Sequence, residues 1–105
     1  MNQNEKQTDM SAKFDLQQGN KYPFDAPDKF WSDEDTAPPP PTDWAHAAAR
    51  GVIYNLQDRR GIKNELHPYI IDEEVRVEII ATLAKIIREA SPGNDQDEAR
   101  RQLLP

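Results

Sequence analysis

Residues 72–90 read DEEVRVEIIATLAKIIREA, and the fold follows from the reading of this stretch. Its apolar residues Val75, Ile79, Ile80, Leu83, Ile86, Ile87 and Ala90 gather on one stripe of a 3.6-residue helix. Glu74, Glu78, Ala81, Lys85, Arg88 and Glu89 turn away from that stripe or flank it. A strand would need period-two alternation, which is absent. Asp72 suits the N-cap, Glu73 and Glu74 suit the positive end of the helix dipole, and Lys85 and Arg88 the negative end. Ser91-Pro92-Gly93 then stops the helix.

A second helix is predicted upstream, from Asp43 to about Arg60, with Thr42 as its N-cap. Trp44, Ala48, Val52 and Leu56 stand at i+4 steps, and Ala45, Ala49 and Ile53 form the adjacent row. The many alanines and Gly51 make this helix narrow, so that another helix can approach it closely at Gly51. Gly61 suits a left-handed position beyond the helix end. The run IKNEL, Ile62 to Leu66, is long enough for one or two helical turns before His67-Pro68 breaks the chain.

The expected architecture is therefore all-α: a small helical hairpin or three-helix unit of two long helices and one short one, behind a long disordered or extended N-terminal arm. Three segments follow: a flexible acidic arm (1–41), a helical core (42–91) and a flexible tail (92–105), with a nascent turn around Asp97–Leu103. The first 41 residues carry 8 acidic and 4 basic side chains, residues 42–91 carry 8 and 7, so the net charge of −6 sits mostly in the arm. Without a basic face, direct nucleic-acid binding is not expected. No cysteine is present, so neither a disulfide nor a thiolate metal site is available. No apolar run approaches the ~18 residues of a membrane span, and the first 30 residues lack a signal-peptide core, so a soluble cytoplasmic protein is expected.

Within the arm, Met1 to about Asn20 is polar and reads as a disordered terminus. Residues 21–31, KYPFDAPDKFW, differ: Tyr22, Phe24, Phe30 and Trp31 account for half of the eight aromatic residues. Pro23 and Pro27 favour an extended path. Such aromatics dock either on the chain's own core or into a partner. Ser32 to Thr36 is an acidic linker, and Pro38–Pro41 a polyproline II spacer separating arm from core.

Nothing in the chain spells a reaction. His46 and His67 are not paired at ligand spacing, the three serines fall in tails and linkers, and no phosphate-binding loop or nucleophile elbow occurs. No catalytic residue, metal site or cofactor is expected. Arg59 and Arg60, in Asp58-Arg59-Arg60-Gly61-Ile62, are candidates for a carboxylate or phosphate on a partner, or are neutralised locally at a helix end. The run WAHAAARGVIYNLQDRRGIKNEL and the later IDEEVRVEIIATLAKIIR resemble short helical proteins of unknown function from bacteriophages and prophages. The likeness spans Trp44 to Arg88 and rests on Asp58–Ile62, Ile71-Asp72 and Glu78-Ile79-Ile80. It implies no catalytic residues.

For a fifty-residue unit, hydrophobic burial and the entropy of ordering nearly cancel, so the hairpin needs additional burial. The aromatic segment, a second copy or a foreign partner would supply it. The expected function is a non-enzymatic protein–protein interaction module, an inhibitor or adaptor acting on a host protein if phage-encoded. Its partner-binding residues would be Tyr22, Phe24, Phe30, Trp31, Arg59 and Arg60, and homodimerisation through residues 72–90 is a further expectation. The alternatives are an accessory component strapped onto a viral particle by the arm, and an acidic nucleic-acid mimic.

Overall fold

Asp43, not Thr42, starts the first long helix of the hairpin: its Oδ1 accepts the His46 amide at 2.9 Å. The computed structural model describes residues 2–33, 35–62 and 64–92, with side chains from residue 11 onward. Expectations for the tail beyond Pro92 lie outside the described residues. The elements are α1 (Asn2–Lys21), α2 (Asp28–Ser32), α3 (Trp44–Gln57) and α4 (Glu73–Ala90), with no strand among the described residues.

The all-α class stands, but the arrangement differs from a three-helix hairpin. Helix α3 lies in the middle, packed against both α1 and α4. Helices α3 and α4 run antiparallel, since Arg88 near the end of α4 donates to Asp43 at the start of α3. The short helix expected at Ile62–Leu66 is a single turn, closed by the Leu66 amide on the Ile62 carbonyl at 3.2 Å. Gly61 does take a left-handed conformation, with φ of 89°.

The polar N-terminal segment, without sustained apolar periodicity, carries α1. What seats it is a pair of glycines. A Cβ on Gly51 would stand 3.1 Å from the Leu16 Cα, and one on Gly19 would stand 2.8 Å from the Gly51 amide nitrogen. The close crossing anticipated at Gly51 is thus made with α1. Polar contacts complete it: Asn20 donates to the Ala47 carbonyl at 3.1 Å, and Asn55 donates to the Asp15 carboxylate at 2.7 Å. This polar, backbone-close packing leaves no apolar periodicity to read in α1.

The core collects Phe24, Ala45, Ala49, Ile53, Ile80 and Ala84, with Leu56, Leu66, Ile71, Ile79, Leu83 and Ile87 partly buried against it. From α3 it takes the row Ala45, Ala49 and Ile53 and leaves Trp44 and Val52 exposed. Helix α4 is turned from the orientation its apolar stripe predicts. It buries Arg76, Ile80 and Ala84 and leaves Val75 and Ile86 in solvent.

Residues 22–43, the strap, explain that rotation. Phe24 and Ala26 are buried, and Pro23 is fully enclosed. Pro39 is anchored through its carbonyl, which accepts from Arg50 Nη1 at 2.8 Å. Residues 20–28 and Pro39 therefore pack against residues 42–91.

Two substitutions test this packing in urea denaturation of the full chain. Phe24→Ala is expected to cost about 3–5 kcal/mol, the loss typical of a buried phenylalanine. Gly19→Ala is expected to destabilise by about 1–3 kcal/mol through overpacking on α3. Helix propensity alone would make it stabilising, so the sign of the change decides whether α1 is seated as described.

Candidate functional site: an aromatic cleft held by two buried arginines

The strap is fixed by two guanidinium groups that the fold encloses almost completely, Arg50 at 2% and Arg76 at 0% exposure. Buried charges persist only when paired and hydrogen-bonded, and arginine brings five N–H donors. Arg50 donates Nε to Asp25 Oδ1 at 2.8 Å and Nη1 to the Pro39 carbonyl. Arg76 donates Nε to the Ile71 carbonyl at 2.9 Å and Nη1 to the carbonyls of Phe24 and Ala26 at 2.9 and 2.6 Å. Its Nη2 pairs with the Asp28 carboxylate. The Asp28 amide in turn donates to Glu73 Oε1 at 2.8 Å. Between them the two arginines hold both sides of the turn that inserts Phe24.

His46 belongs to this clamp. Its Nε2 lies 2.8 Å from Asp25 Oδ2, and its Nδ1 lies 2.8 Å from the Thr42 amide nitrogen. An amide can only donate, so Nδ1 is the acceptor and Nε2 carries the proton towards Asp25. Thr42 Oγ1 stands 3.2 Å from the same Nδ1, giving a hydroxyl–imidazole–carboxylate row. The single lone pair of Nδ1 already serves the amide, so the row braces the strap rather than activating the hydroxyl. Among the described residues no cluster of His, Asp and Glu has the makings of a metal site, and no helix is long and apolar enough to cross a membrane.

Beside the clamp, the strap, α3 and the α3–α4 loop border an open cleft of about 410 Å³. Its aromatic walls are Tyr22, Trp31 and Tyr54, with Leu66 and Pro68 adding apolar surface and Gln57, Asn64 and His67 adding polar groups. Among the described residues no carboxylate or ammonium group lines it. Trp31 is positioned by Phe30, whose ring meets it edge-on with centroids 5.0 Å apart. Tyr69 donates its hydroxyl to the Trp31 carbonyl at 2.8 Å. Tyr54 is met edge-on by Phe14 of α1 at 6.3 Å. The indole N–H of Trp31 is buried and meets no acceptor among the described residues.

The residues singled out in the sequence are thus distributed over three places. Tyr22 and Trp31 line the cleft and Phe30 supports it. Phe24 docks on the chain's own core. Arg59 and Arg60 are exposed in the turn after α3, where Arg59 Nε donates to Asn55 Oδ1 at 2.8 Å. Sequence reasoning passed over Tyr54, Asp25, Arg50 and Arg76, and set His46 aside as unpaired. The one available signal was Arg76, an arginine between the apolar positions Val75 and Ile80.

The acid limb of stability follows from Asp43. The His46 amide first, and the Arg88 guanidinium second, hold its carboxyl below the ordinary value of 3.8. A depressed folded value means that the contribution is present above the unfolded value and is lost as pH falls through the folded one. The prediction is that stability declines as pH drops below 3.8, and that Asp43→Asn flattens this decline in denaturation curves recorded across the acid range.

Compared with protein-family models, with curated proteins and with solved structures, the chain finds no match in any of the three.

Proposed function

We propose that this chain is a non-enzymatic protein–protein interaction module, with the Tyr22–Trp31–Tyr54 cleft as its contact site. What supports this reading most directly is the composition of the cleft, three aromatic walls beside polar groups, together with a buried Trp31 N–H that meets no acceptor among the described residues. Tyrosine and tryptophan are the side chains that most often anchor interfaces, because each offers a large apolar body with a polar tip. An unpaired buried donor costs about 1–3 kcal/mol, which a partner carbonyl can recover after a small rotation of the indole. The clamp fixes the strap and so limits the ordering that binding would require, which favours affinity. The biological setting carried with this proposal, an inhibitor or adaptor acting on a host protein, rests on the sequence resemblance alone, which no comparison supports.

The strap contributes to the core, so truncating residues 1–41 would damage folding and confuse the result. Point substitution avoids this. Immobilised wild-type chain, Trp31→Ala and Arg59→Ala/Arg60→Ala would be compared for proteins recovered from a lysate of the source cell, with helicity checked by circular dichroism. Recovery of the specific partner is expected to fall at least tenfold for Trp31→Ala, as at an interface anchor, and little for the arginine pair. Equal recovery by wild type and a folded Trp31→Ala would remove the cleft from the function.

A further inference from the structure

Helix α4 carries a second apolar row that its own fold leaves open. Val75, Ile79, Thr82 and Ile86 recur at steps of four, three and four, the spacing of a coiled-coil seam. Val75 is 43% exposed and Ile86 58%, Thr82 is exposed, and Ile79 is half-buried with one side against the core. The row lies roughly a third of a turn round the helix from the buried row Arg76, Ile80 and Ala84, at about 100° per residue. Along its outer flank stand Glu78 and Lys85, both exposed and seven residues apart. Its other flank, Leu83 and Ile87, is taken up by the core.

We propose that this row binds the same row of a second copy of the chain, with the two α4 helices antiparallel about a two-fold axis. The charges choose both occupant and direction. In the antiparallel arrangement Val75 packs on Ile86 of the second copy and Ile79 on Thr82. The axis then sets Glu78 of each chain beside Lys85 of the other, twice by symmetry. A parallel arrangement would put the Glu78–Lys85 flanks of the two chains on opposite sides of the seam, where neither ion pair can form. The seam stops where Asp72 of one chain reaches Glu89 of the other, a repulsion that confines it to four layers. Four layers bury less than the roughly 1,600 Å² of a standard interface, so this is a weak, concentration-dependent dimer. The surface is separate from the cleft and its test does not depend on the cleft having a ligand.

Sedimentation equilibrium of the full chain, from about 10 µM to about 1 mM, spans the range expected for an interface of this size. A monomer–dimer equilibrium is expected. Ile86→Glu should leave a monomer with unchanged helicity. Glu78→Lys or Lys85→Glu alone turns both ion pairs into repulsions and should weaken the dimer about fivefold or more. The double exchange, Glu78→Lys with Lys85→Glu, should restore affinity to near wild type. Glu89→Lys should tighten it by placing a cation against Asp72. A chain that stays monomeric at the highest concentration overturns the proposal. So does a dimer indifferent to the single charge reversals, or one that the double exchange fails to restore.

Discussion

A guanidinium cannot be left in a protein interior without partners, and the described residues bury two. That constraint organises the chain. Arg76 is fully enclosed, and its donors are met by the carbonyls of Ile71, Phe24 and Ala26 and by Asp28. Arg50 is met by Asp25 and Pro39. Except for the Ile71 carbonyl these acceptors belong to the strap, so neither arginine can be enclosed unless the strap is down. Conversely, the strap carbonyls that turn Phe24 into the core would lack donors without Arg76. Hairpin and strap complete one another, and the marginal core of a fifty-residue hairpin obtains its extra burial from Phe24 in the same chain.

The small residues of α3 then determine what is left over. Ala45 and Ala49 present a shallow surface to α4, while Gly51 with Gly19 lets α1 approach to backbone distance. Helix α4 meets this shallow surface and the strap together, with Ile80 and Ala84 inward and Arg76 directed at the strap. Its apolar stripe is wider than the area available to cover it. The uncovered remainder, Val75 and Ile86, is a consequence of orienting Arg76, not a defect of patterning.

Helices α3 and α4 were legible in the sequence because their apolar periodicity reports directly on burial. The glycine crossing at Gly51 and the left-handed turn at Gly61 were legible because few other residues tolerate those positions. Docking of the aromatic segment was legible in kind, since Phe24 had little reason to remain in water. What stayed hidden has a common cause. The Asp25–Arg50, Asp25–His46 and Arg76–Phe24 contacts join residues 25, 21 and 52 positions apart. Local periodicity carries no information about pairings at such separations. Arg76 in particular reads as the polar flank of an amphipathic helix until something supplies acceptors for it. Helix α1 was missed because glycine and hydrogen bonds seat it, leaving Phe14 and Leu16 largely exposed.

The position of the cleft follows from the same clamp. Tyr22 precedes the buried turn by one residue from Pro23, and Trp31 follows its last anchor, Asp28, by three. Tyr54 lies on α3 one helical turn beyond Arg50. The aromatic walls are therefore carried on the segments that the two arginines immobilise, and loss of either clamp would separate the strap walls from Tyr54. Any partner seated between them binds only the strapped form, so its binding free energy adds to the stability of the fold. For a chain whose core is complete only when the strap is down, occupancy of the cleft and integrity of the core are one equilibrium.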